Sequence, residues 1–264
     1  MKFISSRDNP LYKELKQLAT SSQVRRKAGR TLLDGIHLCE AYLEYLGLPS
    51  LCVVSESALT HPEVIPILAQ CETARSACIA LPDAFYHAVS QVEHGVGLLF
   101  VIDTPQPVFP ATLTESAALL DNLQDPGNLG SLLRSAAAAG IRQVFCSPGT
   151  AFAWSPKVLR AGMGAHFLLE IFENVDLQAV ASTAKIPIAA TSSHAQKSVF
   201  DTDLNQPIAW LFGHEGQGVS QDLLALAAYQ VSIPHRGAME SLNVAASAAV
   251  CFFEQVRQQR FDIS

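Results

Sequence analysis

Charge is sparse in this 264-residue chain: Asp, Glu, Lys and Arg make up only 16% of it. Beside 49% hydrophobic residues, that scarcity excludes a disordered binder, which combines high charge with low hydrophobicity. Long apolar runs are missing as well. None approaches the roughly 18 residues of a membrane span, and the start, Met1-Lys2-Phe3-Ile4-Ser5-Ser6, has no extended apolar core of the secretory kind. A cytoplasmic globular enzyme is expected. Cysteine is scarce, and Cys39, Cys52, Cys71, Cys78, Cys146 and Cys251 include no C-x-x-C pair. That spacing indicates neither a zinc site nor a redox motif, and it predicts buried free thiols and no metal. Neither G-x-x-x-x-G-K-[ST] nor G-x-G-x-x-G occurs, which disfavours a P-loop nucleotidase and a nicotinamide-dependent oxidoreductase.

The net charge of −6 is unevenly spread. Residues 1–30 carry Lys2, Arg7, Lys13, Lys16, Arg25, Arg26, Lys27 and Arg30 against Asp8 and Glu14, a local +6 that leaves −12 for the remainder. Such an end suits phosphates, or is an ordinary solvated helix face; charge alone does not choose.

Leu11, Leu15 and Leu18 recur at helical spacing, predicting a helix over 10–20, followed by a basic loop at 25–30 and a second helix near 35–47. β-rich runs at 51–54, 78–81 and 98–102 with helical material between them predict a small α/β domain over 1–103. Pro105, Pro107 and Pro110 forbid a helix or a central strand, so 104–113 reads as a linker and 114–264 as the second domain. There, strands are expected at 117–123, 143–146, 168–172, 188–191, 208–212 and 230–233. Helices are expected at 128–139, 155–161, 176–184, 220–227 and 244–258. This alternation predicts a largely parallel sheet covered on both faces.

In an open α/β sheet, ligands bind beyond the carboxyl ends of the strands. Three unusual loops fall there. Asp121-Asn122-Leu123-Gln124-Asp125-Pro126-Gly127-Asn128 leads into a helix carrying Arg134, whose planar cation suits a phosphate, or is simply an exposed helical arginine. Gly213-His214-Glu215-Gly216-Gln217-Gly218 permits close backbone approach and holds one carboxylate, either catalytic or a loop charge. The third runs from Ile233-Pro234-His235-Arg236 to Ser241-Leu242-Asn243-Val244, where Ser241 or Asn243 can cap the last helix and still meet a ligand.

In this order the three loops resemble the signature motifs of the SpoU/TrmH family of RNA methyltransferases, in the SPOUT superfamily. Asn122–Arg134 matches N-x-x-D-P-x-N-x-G-x-x-x-R, Gly213–Gly218 the second motif, and Ile233–Ala249 the third, centred on Ser241-Leu242-Asn243-Val244. Asn9-Pro10, the basic loop and Leu32-Leu33-Asp34-Gly35 resemble, more weakly, the family's substrate-binding domain. Asp34 stands where Glu is usual, His235 where Met often follows Ile-Pro, Ala245 where Ser is frequent, and His214 at a variable position.

The resemblance implies a small N-terminal α/β RNA-binding domain and a C-terminal α/β domain whose chain is threaded into a trefoil knot. It also implies a homodimer and S-adenosylmethionine as methyl donor. It assigns Gly213, Ile233 and Leu242 to the cofactor, and Asn128, Arg134, Glu215, Ser241 and Asn243 to catalysis or the substrate. Glu215 would orient Arg134 or its loop. The expected reaction is methylation of a ribose 2′-hydroxyl in structured RNA, ribosomal rather than transfer RNA, gripped by Lys13, Lys16, Arg25, Arg26, Lys27 and Arg30. The alternative is a non-catalytic RNA-binding relative of the same fold.

Overall fold

A computed structural model describes residues 1–92, 95–239 and 241–259 of the chain. Glu240, within the third loop, lies outside the described residues. In chain order the first elements are β1 (Lys2–Phe3), α1 (Pro10–Thr20), α2 (Ser22–Ala28), β2 (Arg30–Asp34), α3 (Ile36–Tyr45), β3 (Leu51–Ser55), α4 (Val64–Thr73), β4 (Cys78–Leu81), α5 (Asp83–His87) and β5 (Leu98–Asp103). They continue with β6 (Ala117–Leu120), α6 (Pro126–Ala138), β7 (Gln143–Cys146), α7 (Pro156–Gly162), β8 (Glu170–Phe172), α8 (Leu177–Thr183), β9 (Ile188–Thr191), β10 (Lys197–Ser198), β11 (Ala209–Phe212), α9 (Gln221–Leu224), β12 (Tyr229–Ser232) and α10 (Val244–Gln258).

Helix starts follow a local rule. Asn9-Pro10, Asp125-Pro126 and Ser155-Pro156 each set a capping side chain before a proline whose missing N–H costs the first turn nothing. Their side-chain oxygens accept the amides of Leu11, Asn128 and Val158 respectively.

The chain divides into two compact units: Met1–Pro105 with Trp154–Phe167, and Gln106–Ala153 with Leu168 onward. Residues 154–167, read from the sequence as part of the second domain, therefore pack within the first unit. There α7 lies against β2, Thr31 Oγ1 donates to the Trp154 carbonyl at 2.7 Å, and Arg160 Nη1 donates to the Gln91 carbonyl at 2.8 Å. The excursion is invisible to strand–helix alternation, because local pattern does not say which core an element joins.

The first unit holds a five-stranded mixed sheet in the order β1-β4-β3-β5-β2. Its core includes Leu15, Leu18, Leu32, Val53, Leu81 and Leu99. The expected basic loop at 25–30 is instead α2, capped by Ser21 and closed by Gly29 at φ +60°, and then the start of β2. This geometry corrects one of the RNA-contact assignments, that of Arg25. Arg25 is 6% exposed, and its guanidinium donates to the carbonyls of Leu18 and Ala19, which the end of α1 leaves without helical partners. Arg30 is held by Glu14 at 2.6 Å and Asp103 at 3.3 Å. Lys16, Arg26 and Lys27 are exposed, and exposed Lys13 pairs with Asp8 at 2.9 Å.

The second unit contains a seven-stranded sheet in the order β10-β12-β9-β11-β6-β7-β8, parallel at every pairing. Strands β6 and β11 are buried along their whole length, as parallel strands covered on both faces must be. The run expected to extend to 123 stops at 120, where Asp121 and Asn122 turn the chain and Asn122 adopts φ 56°. Helix α10 packs on α6. It is fastened by Gln255, whose Oε1 accepts the Trp210 indole N–H at 2.7 Å and whose Nε2 donates to Ser116 Oγ at 3.0 Å. All six cysteines are buried and unbridged, and burial pushes the Cys251 thiol up to about 12, an unreactive state.

Replacing Arg25 by Ala leaves the last carbonyls of α1 unpaired in a buried place. The expected cost is about 2 kcal/mol, read as a lower urea midpoint at unchanged slope.

Candidate active site

Leu120 and Phe212 are partners in the register of β6 and β11, so the chain leaves both strands side by side. The first loop and the glycine-rich loop are neighbours for that reason. Their contact is made by Glu215. Its carboxylate accepts the amides of Asp125 at 3.0 Å and Gln124 at 3.3 Å and the Asn128 side-chain N–H at 3.2 Å. Asn128 Oδ1 in turn accepts Asn243 Nδ2 at 2.7 Å. Asn243 caps α10 with its own Oδ1, which receives the amides of Ala245 and Ala246. One hydrogen-bonded chain, Asn243–Asn128–Glu215, therefore joins all three loops.

Gly213 is buried where the glycine-rich loop turns back on itself. A Cβ there would lie 2.1 Å from the Gly218 carbonyl carbon, so no other residue allows this closure. Asp121 adds a second tie, its Oδ2 accepting the Ser220 amide at 3.0 Å.

Partial burial pushes the Glu215 carboxyl upward, but the amides of Asp125, Glu215 itself and Gln124 and the Asn128 side chain outweigh it, leaving the group below the ordinary glutamate value. It is a carboxylate at neutral pH.

The structure does not join every expected residue to this chain. Arg134 is exposed on α6 and, among the described residues, makes no hydrogen bond or ion pair; Glu215 orients the first loop and Asn128 rather than Arg134. Ser241 is exposed, Ile233 is half-buried, and Leu242 is 41% exposed. Among the described residues the amides of Ser241 and Leu242 have no hydrogen-bond partner. Open amides beside an exposed apolar side chain, next in sequence to Asn243 of the hydrogen-bonded chain, fit a ligand held mainly by backbone. Sequence reading missed Asp121 and the capping role of Asp125; the Asp-Pro pair was the available signal for the latter. Among the described residues no group of three His, Cys, Asp or Glu side chains is placed to hold a metal ion.

The SpoU rRNA Methylase family model matches residues 116–253. An uncharacterised tRNA/rRNA methyltransferase of Synechocystis sp. is 33% identical over 97% of this chain and 94% of its own. The 23S rRNA guanosine 2′-O-methyltransferase RlmP of Bacillus subtilis is 30% identical over 96% of this chain and 98% of its own. The crystal structure of the SpoU methyltransferase AviRb of Streptomyces viridochromogenes with AdoMet superposes at a TM-score of 0.85, with 25% identity, covering 95% of this chain and 98% of that one.

Because the lowered carboxyl is stabilised only while ionised, its share of loop stability is present at neutral pH and is lost as pH falls through the folded-state value. The amide resonances of Gln124 and Asp125 are expected to shift in acid with a midpoint below that of a glutamate in a model peptide, and Glu215→Gln should abolish that transition.

Proposed function

Because this chain belongs to the SpoU rRNA methylase family, we propose that it methylates a ribose 2′-hydroxyl of ribosomal RNA with S-adenosylmethionine as donor. The observation that carries the reading is the Asn243–Asn128–Glu215 chain, which gathers three separate motif loops beyond the strand ends. A ribosomal substrate is favoured because the Bacillus subtilis relative is named for 23S rRNA. No described helix is long and apolar enough to cross a membrane. We assign the protein to the cytoplasm on its likeness to the Bacillus subtilis enzyme.

Bound S-adenosylmethionine supplies an electrophilic methyl on a sulfonium. The backbone around Gly213, Ile233 and Leu242 would hold the cofactor. The remaining task is to align a ribose oxygen and remove its proton. Arg134 keeps its own proton, since a guanidinium has a pKa above about 12. It clamps an RNA phosphate and polarises the 2′-hydroxyl, and its lack of a partner among the described residues leaves its donors available for that contact. Glu215, through Asn128, holds the first loop in place, and Ser241 contacts the substrate beside it. We assign the chain a trefoil knot and a homodimeric state on the family resemblance. The first unit is the RNA grip, through Lys13, Lys16, Arg26, Lys27 and Arg30.

Wild-type protein should transfer tritium from labelled S-adenosylmethionine to ribose in an unmodified 23S rRNA transcript. Arg134→Ala should lose nearly all turnover while calorimetry shows cofactor affinity little changed. Absence of transfer by the wild type in the presence of measurable cofactor binding would favour the non-catalytic relative. Lys16→Glu with Lys27→Glu should weaken RNA binding and lower the slope of log K against log salt by roughly one for each lost phosphate contact. An unchanged slope removes these lysines from the interface.

A further inference from the structure

We infer that His214 is a positioning residue for the methyl-transfer site, setting the glycine-rich loop so that Glu215 meets the first loop; this rests on the reading above. His214 occupies the loop position that the family pattern leaves variable, so its role comes from the geometry of this chain alone. Its backbone closes the loop: the His214 amide donates to the Gly218 carbonyl at 3.0 Å, and the Gly218 amide donates back at 2.8 Å. Its ring braces that closure. Nδ1 accepts the amides of both Gly216, at 3.0 Å, and Gln217, at 3.2 Å.

Glu215 lies between these anchored points and is itself exposed. Without them, two glycines flanking Gln217 give the loop a wide choice of backbone conformations. The ring converts that freedom into one arrangement, in which the carboxylate lies 3.0 Å from the Asp125 amide and 3.2 Å from Asn128 Nδ2. Accepting at Nδ1 requires a neutral imidazole with its proton on Nε2. The required feature is therefore an acceptor two bonds beyond Cβ, not a ring or a charge. Asparagine supplies one, because its Oδ1 stands at the same bond separation from Cα as the histidine Nδ1. Alanine supplies none and releases both donors to solvent.

The test compares His214→Ala and His214→Asn with wild type in the full-length chain, with unmodified 23S rRNA transcript and S-adenosylmethionine as substrates. In His214→Ala, kcat should fall about tenfold, the factor that loss of one or two neutral hydrogen bonds carries, while KM for the transcript stays within about twofold of wild type. Amide exchange at Gly216, Gln217 and Asp125 should accelerate together. His214→Asn should restore both kcat and slow exchange. Wild-type kcat and exchange in His214→Ala overturn the inference, as does His214→Asn behaving like His214→Ala. A wild type that binds cofactor but transfers no methyl overturns the functional reading instead, and the exchange comparison then decides the role of His214 by itself.

Discussion

A single carboxylate at the mouth of a parallel sheet organises this site. Glu215 receives donors from a loop 87 to 91 positions earlier in the chain, among them the Asp125 amide at 3.0 Å. Donors of this kind bind an ionised acceptor more strongly, and the same donors keep it ionised against partial desolvation. The arrangement depends on the pairing of β6 with β11, which releases the two loops side by side. Without that pairing, Asn128 and Glu215 would have no means of meeting. With it, they stand within hydrogen-bond distance.

The site also draws on groups that a helix needs in any case. The first amides of α6 and α10 lack intrahelical acceptors, and Asp125 and Asn243 supply them. Asn243 has a side-chain amide left over after capping, and this reaches Asn128 at 2.7 Å. Capping thus fixes the rotamer of a residue whose other end faces the site, so helix stability and loop registration come from one side chain. Arg134 stands apart from this framework, exposed on α6.

The basic N-terminal segment shows how charge in a sequence divides once the chain folds. Arg25 is spent on the carbonyls that end α1, and Arg30 on Glu14 and Asp103. Both bind the first unit together, leaving the shorter, more solvated lysines and Arg26 to face solvent. Arginine suits the internal role because its planar fork satisfies several acceptors at once.

The strand–helix alternation, the parallel sheet and the helix over 244–258 were legible in residue periodicity, since burial on one face or both imprints a local pattern. The three motif loops were legible as well, because proline, glycine and capping residues constrain backbone wherever they fall. Tertiary structure alone decided that residues 154–167 belong with the first unit, that Arg25 points inward, and that Glu215 holds Asn128 rather than Arg134. It also decided what His214 touches. Each of these turns on where two distant segments come to rest, and a linear sequence specifies that only through the packing of all the others.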